Sequence, residues 1–525
     1  MLQINWSVNL FLKSEFKMSM LYCKMVLYPN NILVQNFLTI TNKRPDLFHV
    51  TIPQNWKEQR ELTQKQFEFI FQHGFFKKEM YKNPKDFFAL SEAIHYINPS
   101  LAIKLGVNIV LYGGALYFLG NSYHSSFLDE LLCGKSFGCF AMTEIGHGSN
   151  LKDITTFAKK DGDFLVIHTP DENGTKVWIG GGTVADYTIV FAQLENHGVH
   201  AILVPIKNNP SVIIKDMGAK LGLNGVDNVT IRFNQTRVPI KNLLDRYGGY
   251  KDDVYTSLIK NPDVRFGKTL SALSLGRISV ALGSYCISYK AFQIALKYNQ
   301  TRRQFKMEKE EKRIIEYPTQ LEKFGKIMET LECLKNGIVK MIDIYEKEGV
   351  SKRLHALSSL YKVYASWKAI EFTGWCREMC GGHGYLWANE IGLLMNDVNI
   401  YQTFEGDNSV LLQQGVKWIL EETIKNKQVK IYDTLSLKIL KLGINMTNSK
   451  NKMQCWNDNL LLVKDIAIKY TEKTLGIKNI NYKYHNIQQI TLEKLEKQRK
   501  IWENNFKTRT EHIPITHYPN YLNKL

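Results

Sequence analysis

Glu405 is followed by Gly406-Asp407-Asn408-Ser409, which reads as a helix start, and then by the apolar run Val410 to Leu412. A carboxyl held on such a turn beside an apolar wall is partly desolvated, which lifts its pKa from about 4.3 toward that of a working base. The simpler use of the same side chain is to favour the helix N-terminus through its dipole. Upstream, Gly381, Gly382 and Gly384 let a backbone pass where a Cβ would collide, which suits close approach to a bulky ligand. The stretch from Cys380 to Gln414 is therefore the expected centre of the chemistry. His147, His383, Cys139 and Cys380 have no companions at metal-ligand spacing, so the histidines read as turn residues and no metal is expected.

Elements that could position this stretch follow from the hydrophobic pattern. The sequence is helical in character from about Lys57 to Lys135, with Leu101 to Leu119 its most apolar part, and becomes strand-like after Cys139. Short β-branched runs at Asp163–His168, Thr188–Leu194, His200–Ile206, Ser211–Lys215 and Val229–Phe233 predict a small antiparallel sheet or barrel. No GxGxxG follows a strand, against a dinucleotide-binding unit. Helical patterns return at Thr269–Gln300, Tyr317–Glu346 and Leu354–Met379, and the helix from Asp407 completes the four needed for a bundle. Charged residues Lys306 to Arg313 read as a loop, and the Lys- and Asn-rich tail after Asn426 as a helical extension. The expected fold is mainly α with a β middle domain: a helical domain over 1–138, a β domain over 139–250, a four-helix bundle over 251–425 and an extension over 426–525.

The chain has 525 residues, 44% hydrophobic and 12% aromatic, which excludes a disordered chain and calls for several domains. Its net charge of +18 is spread through lysines mixed with asparagine and isoleucine, without a stripe of alternating basic and aromatic residues, so no nucleic-acid partner is expected. Eight unpatterned cysteines suggest a reducing compartment, and no run of eighteen apolar residues predicts a membrane span. Met18, Met20 and Met25 allow a later start, and the closing Asn523-Lys524-Leu525 differs in one residue from the peroxisomal address Ser-Lys-Leu.

Six segments, CFAMTEIGHGSN (139–150), KVWIGGG (176–182), LGLNGVDNVTIRFNQTRVPIKNLL (221–244), RRQF (302–305), CGGHGY (380–385) and TFEGDN (403–408), occur in an order that resembles the acyl-CoA oxidase branch of the acyl-CoA dehydrogenase family. The resemblance implies FAD, a fatty acyl-CoA substrate and α,β-dehydrogenation to the trans-2-enoyl-CoA, with Glu405 as the base. It places Thr143 on the isoalloxazine, Ser149 near FAD phosphate or substrate, Trp178 against the flavin with Gly180 leaving room beside it, and Gly382 near the cofactor. Trp178 as core packing is the alternative. Arg277 becomes a substrate-side residue. Arg302 becomes a contact to the FAD pyrophosphate from a partner subunit, as a guanidinium fork suits phosphate, and Gln320 takes a matching polar place in the next helix. Glu378 stands where dehydrogenases tend to have glutamine, and that contact is not carried over.

Gly180 and the GHGSN and EGDN forms lean to an oxidase that passes electrons to O2, giving H2O2, in a peroxisomal homodimer. The alternatives are a dehydrogenase serving an electron-transfer flavoprotein and, from another class, a non-catalytic structural subunit that keeps the fold.

Overall fold

The computed structural model describes residues 27–48, 53, 55–271, 274–307, 310–426 and 433–477. Met18, Met20, Met25 and the terminal Asn-Lys-Leu lie outside the described residues.

The first layer is helical, as the pattern predicts. Helices α1 (Ile32–Asn42), α2 (Trp56–Gln72) and α3 (Lys85–Ile97) are followed by a continuous helical stretch, α4, from Pro99 to Leu119. Within α4 the turns widen over Val107–Gly113, and the carbonyl of Ile109 accepts a bond of 2.8 Å from the Tyr81 hydroxyl. Helix α5 (Ser122–Leu132) leads into the sheet layer. The α4 stretch is long and apolar enough to cross a membrane, and so is Pro262–Thr301, but both are mostly buried inside the protein. Their apolarity serves the core.

Among the described residues the β layer has two main sheets and a short hairpin, Gly249–Lys251 with Val254–Thr256. One has strands β1 (Gly138–Ala141), β2 (Phe157–Asp161), β3 (Phe164–His168), β5 (Tyr187–Leu194), β6 (Gly198–Pro205) and β9 (Thr236–Pro239); the other is β4 (Lys176–Gly180), β8 (Asn228–Phe233) and β7 (Val212–Asp216). The small sheet is antiparallel, whereas β5 pairs parallel with both β1 and β2. The larger sheet is therefore mixed: the chain leaves β1, crosses the loop containing Thr143 and Ser149, and returns beside the same edge of β5 as β2. Apolar residues of the two sheets, among them Ile167, Val190, Ile202 and Ile231, form a separate buried core.

Helix α6 (Pro262–Ser271) precedes the bundle of α7 (Leu275–Thr301), α8 (Pro318–Glu348), α9 (Lys352–Met379) and α11 (Asn408–Asn426), with α10 (Ile391–Asn399) crossing between the last two. Helix α7 is buried on nearly every side, which is why its sequence lacks a polar face. It runs parallel to α9: Arg277 meets Ser359 near one end, and Asn299 donates to the Met379 carbonyl (3.0 Å) at the other. The segment expected to be a loop after α7 pairs instead as a hairpin, Arg303–Met307 with Glu310–Arg313. Its charged residues alternate across two solvated faces, so a short ribbon forms without an apolar pattern. A register break leaves Phe305 at φ +57°, with its ring 74% exposed. The described part of the extension folds as α12 (Thr434–Asn448), α13 (Lys452–Asp458) and α14 (Leu460–Leu475), and it is pinned to the bundle where Trp456 Nε1 donates to Gln413 Oε1 at 2.8 Å.

Candidate active site

Glu405 lies on the turn that joins the end of α10 to α11. Asp407 caps α11, accepting Ser409 N–H on its side chain (2.8 Å) and Leu411 N–H on its carbonyl (2.9 Å). Two residues before it the backbone is left-handed, with φ +55° at Glu405 and +101° at Gly406. A non-glycine residue held there costs about 1–3 kcal/mol, and such strain collects at functional sites. The turn aims the Glu405 carboxyl at the first turn of α7, where Gly276 makes space for it: a Cβ on Gly276 would sit 2.3 Å from Glu405 Oε2.

The surroundings are apolar and cationic. Burial pushes the Glu405 carboxyl above the ordinary range, opposed by the charges of Arg277 and Lys362. The Arg277 guanidinium is fixed by Ser359 Oγ (3.0 Å) and His355 Nδ1 (3.1 Å), and His355 Nε2 reaches Gln414 Oε1 at 3.2 Å. Burial, with Arg277 adjacent, pushes His355 down to about 4, so it is neutral, accepting from Arg277 through one nitrogen and donating to Gln414 through the other. Burial also lowers Arg277 to about 10 against the pull of Glu405. Lys362 is buried beneath the turn; its Nζ donates to the carbonyls of Gln402 (3.3 Å) and Gly406 (2.7 Å) and to Asn408 Oδ1 (2.9 Å).

A second group lies on the sheets. The loop after β1 is tied down where Thr143 O accepts Val177 N–H (3.0 Å) and Gly146 N–H donates to Asn173 O (2.9 Å), leaving Thr143 half-buried and Ser149 exposed. The anchor is Glu144, which the sequence reading passed over. It pairs with Lys176 at 2.9 Å, both side chains 0% exposed, and accepts the N–H groups of Thr155 (2.7 Å) and Thr156 (2.9 Å). Burial would raise Glu144, but Lys176 and these donors outweigh it and hold the carboxyl below its usual range. His147 Nδ1 sits 3.4 Å from Glu144 Oε2, a turn histidine as expected. Trp178 is not core packing. A bulge in β4 sets it at φ +63° with its indole 59% exposed, while Asn228 Nδ2 holds its carbonyl at 3.1 Å. Gly180 packs against Val107 and Val226, where a Cβ would meet methyl carbons at 3.2 and 3.4 Å.

The third group lies at the far end of α7. Arg302 caps the helix, and Ile314 N–H donates to its carbonyl (2.9 Å), bringing the start of α8, with Gln320, to the same end. The glycine-rich segment after α9 is here too: Tyr298 Oη meets His383 Nδ1 at 3.3 Å, and burial and then the Arg302 charge push His383 down. Gly382 is exposed beside it. Glu378 is paired with Lys323 at 2.8 Å.

Twenty-five residues of rigid helix, about 37 Å at 1.5 Å per residue, separate Arg277 from Arg302. The structure therefore brings Glu405 to Arg277 but leaves Arg302, Gln320 and the glycines 381–384 at the opposite end of the bundle. The two parts of the 380–414 stretch do not form one cleft within a chain, because α10 carries the backbone back down the bundle between them. Gly276, His355, Ser359 and Lys362 were missed. A lone lysine inside the apolar run Leu360 to Trp367 was the one visible signal.

Residues 139–236 match the middle domain of acyl-CoA dehydrogenases, and residues 270–420 the C-alpha1 domain of acyl-CoA oxidases. The chain is 37% identical over 403 residues to the peroxisomal acyl-coenzyme A oxidase 2 of Arabidopsis thaliana, covering 71% of this chain and 58% of that protein. It is 36% identical over 392 residues to human peroxisomal acyl-coenzyme A oxidase 3, covering 69% and 56%. It thus spans a little over half the length of these relatives. Among solved structures, acyl-CoA oxidase 1 of Yarrowia lipolytica superimposes with a TM-score of 0.76 at 20% identity, over 95% of this chain and 82% of that one. Acyl-CoA oxidase-2 of Caenorhabditis elegans, bound with FAD, ascaroside-CoA and ATP, gives 0.75 at 20%, over 96% and 85%. These two likenesses carry the fold. Residues 139–236 thus belong with the middle domain of the acyl-CoA dehydrogenases and residues 270–420 with the C-alpha1 domain of the acyl-CoA oxidases, and the sequence is similar to the oxidases across most of this chain's length.

Proposed function

We propose that this chain is an FAD-dependent acyl-CoA oxidase that converts a fatty acyl-CoA to the trans-2-enoyl-CoA and passes the electrons to O2, giving H2O2. The observation that carries the reading is the Glu405 carboxyl, held by a strained turn against Gly276 with its pKa raised by burial. The residues fit a flavin: the exposed Trp178 indole, fixed by its left-handed backbone and the Asn228 bond, offers a flat face one residue on from Val177, whose N–H donates to the Thr143 carbonyl. Trp178, Thr143, Ser149 and Gly180 would hold it from the sheets. When bound, it supplies the hydride acceptor for the substrate β-carbon.

Glu405 removes the substrate α-proton. Desolvation makes the carboxylate basic enough for that task, and the nearby Arg277 charge opposes the rise. The backbone N–H of Glu405, which takes no part in the hydrogen bonds of its turn, polarises the thioester carbonyl. Arg277, locked by His355 and Ser359, fixes one wall of the site. Arg302, Gln320 and Gly382, about 37 Å away along α7, serve the cofactor of a second copy, so the working unit is a homodimer. The relatives' names support a peroxisomal setting, and the proposed domain division is 1–138, 139–250, 251–425 and 426–525.

The purified protein is expected to be yellow, to bleach in the flavin band on anaerobic addition of acyl-CoA, and to release peroxide in air. Reduction of an artificial acceptor without peroxide would assign the dehydrogenase reading, and a colourless protein without FAD the structural one. Gly276→Ala is expected to fold with little change in melting temperature and to lose turnover by about 10²-fold, because its Cβ displaces Oε2 and an error of about 1 Å at a reacting group has that cost. Steady-state enoyl-CoA formation beside a thermal melt checks it.

A further inference from the structure

Lys362 is a buried charged group that proton removal by Glu405 does not by itself require. Helix α9 carries it into an apolar interior, where an ammonium is costly unless it is fully paired. Its partners are unusual. Gln402 O and Gly406 O lie on either side of Glu405 in the chain, and Asn408 Oδ1 belongs to the first residue of α11, whose Nδ2 is held in turn by Ser366 Oγ at 2.9 Å. One ammonium thus spans the whole turn on which the carboxyl is mounted. A neutral amide could satisfy two carbonyls without burying a charge.

The charged groups that act here come from three elements. Arg277 on α7 and Lys362 on α9 both act on Glu405, while burial lowers Lys362 to about 7 against the pull of Glu405 and Asp407, with Arg277 adding to the drop. Of the two cations, Arg277 is turned to His355 and Ser359, while Lys362 touches only the turn itself and its cap. We propose that Lys362 is a positioning residue for the base, its ammonium clamping the strained 402–408 turn and setting a positive charge beside the Glu405 carboxyl. This rests on the reading of Glu405 as the base.

Lys362→Met in the full-length flavoprotein keeps the aliphatic stem and removes the charge. The acid limb of its kcat/KM profile is expected to move up by about one pH unit, the shift an opposite charge within a few ångströms produces. The infrared carboxyl band of Glu405, identified by its loss in Glu405→Gln, should titrate higher by the same amount without substrate. A Lys362→Met protein that is slower while limb and band stay in place overturns the proposal, since a merely structural lysine would behave so. If the Met variant does not fold, ¹⁵N-lysine NMR of folded protein decides: Lys362 Nζ should titrate lower in Glu405→Gln than in the parent, and identical titration overturns the proposal. Full turnover by Glu405→Gln would instead remove the base reading, while the infrared and NMR shifts, read without turnover, still report on the coupling.

Discussion

Replacing Glu405 by Gln is expected to lower the rate of enoyl-CoA formation by about 10²–10⁴-fold, the range over which a positioned general base acts. The amide fills the same volume against Gly276, so bound FAD, thermal stability and substrate affinity should change little. Only proton removal is lost. The pH dependence carries the sign of the argument. Burial raises the carboxyl above its ordinary range, and the reaction needs the ionised form, so parent activity should fall as the pH drops through that raised value. The residual activity of the variant should show no such limb. Stopped-flow formation of the enoyl-CoA chromophore from pH 5 to 9 measures both, and normal turnover by the variant would remove Glu405 from the mechanism.

Lys176→Met is expected to give the largest loss of stability, about 3–5 kcal/mol, because it strands a carboxylate inside the sheet layer. Lys176 Nζ lies 2.9 Å from Glu144 and also donates to the carbonyls of Met142 (3.1 Å) and Phe191 (2.7 Å), so one substitution unties β1, β5 and the Thr143–Ser149 loop together. FAD affinity should fall with it. The folded carboxyl of Glu144 is held below its unfolded value, so the stability it contributes is full above the ordinary glutamate range and is lost as pH falls through the depressed one. The difference in urea midpoint between parent and variant should therefore narrow in acid. A variant as stable as the parent at pH 7 would show that the pair is not needed.

Much of this was legible in the residues. Glu405 announced itself through the helix start behind it, and the change from long helical patterns to short β-branched runs after Cys139 marked the layers. What could not be read were contacts that ignore hydrophobic period. Lys176 and Lys362 have the residue type of solvated surface, and only the fold reveals the carboxylate and the carbonyls that let them be buried. Gly276 looks like an ordinary glycine in a helix until the turn from a distant segment arrives opposite it. The parallel pairing of β1 and β2 on β5 is invisible to strand-by-strand reading, because alternation reports a face and not a neighbour. Adjacency in sequence misled for residues 380–414: α10 reverses the chain between the glycines and the carboxyl, and no propensity signals how far it carries them apart.

Helix α7 works as a ruler. It is buried along its length and carries Gly276 and Arg277 at one end and Arg302 at the other, so no loop within it can absorb a change of length. Removing one residue from its middle would shorten it by about 1.5 Å and twist everything downstream by about 100°. Arg302 would then swing off its bearing even with every side chain at both ends retained. Between these positions evolution can exchange residues far more freely than it can add or delete them.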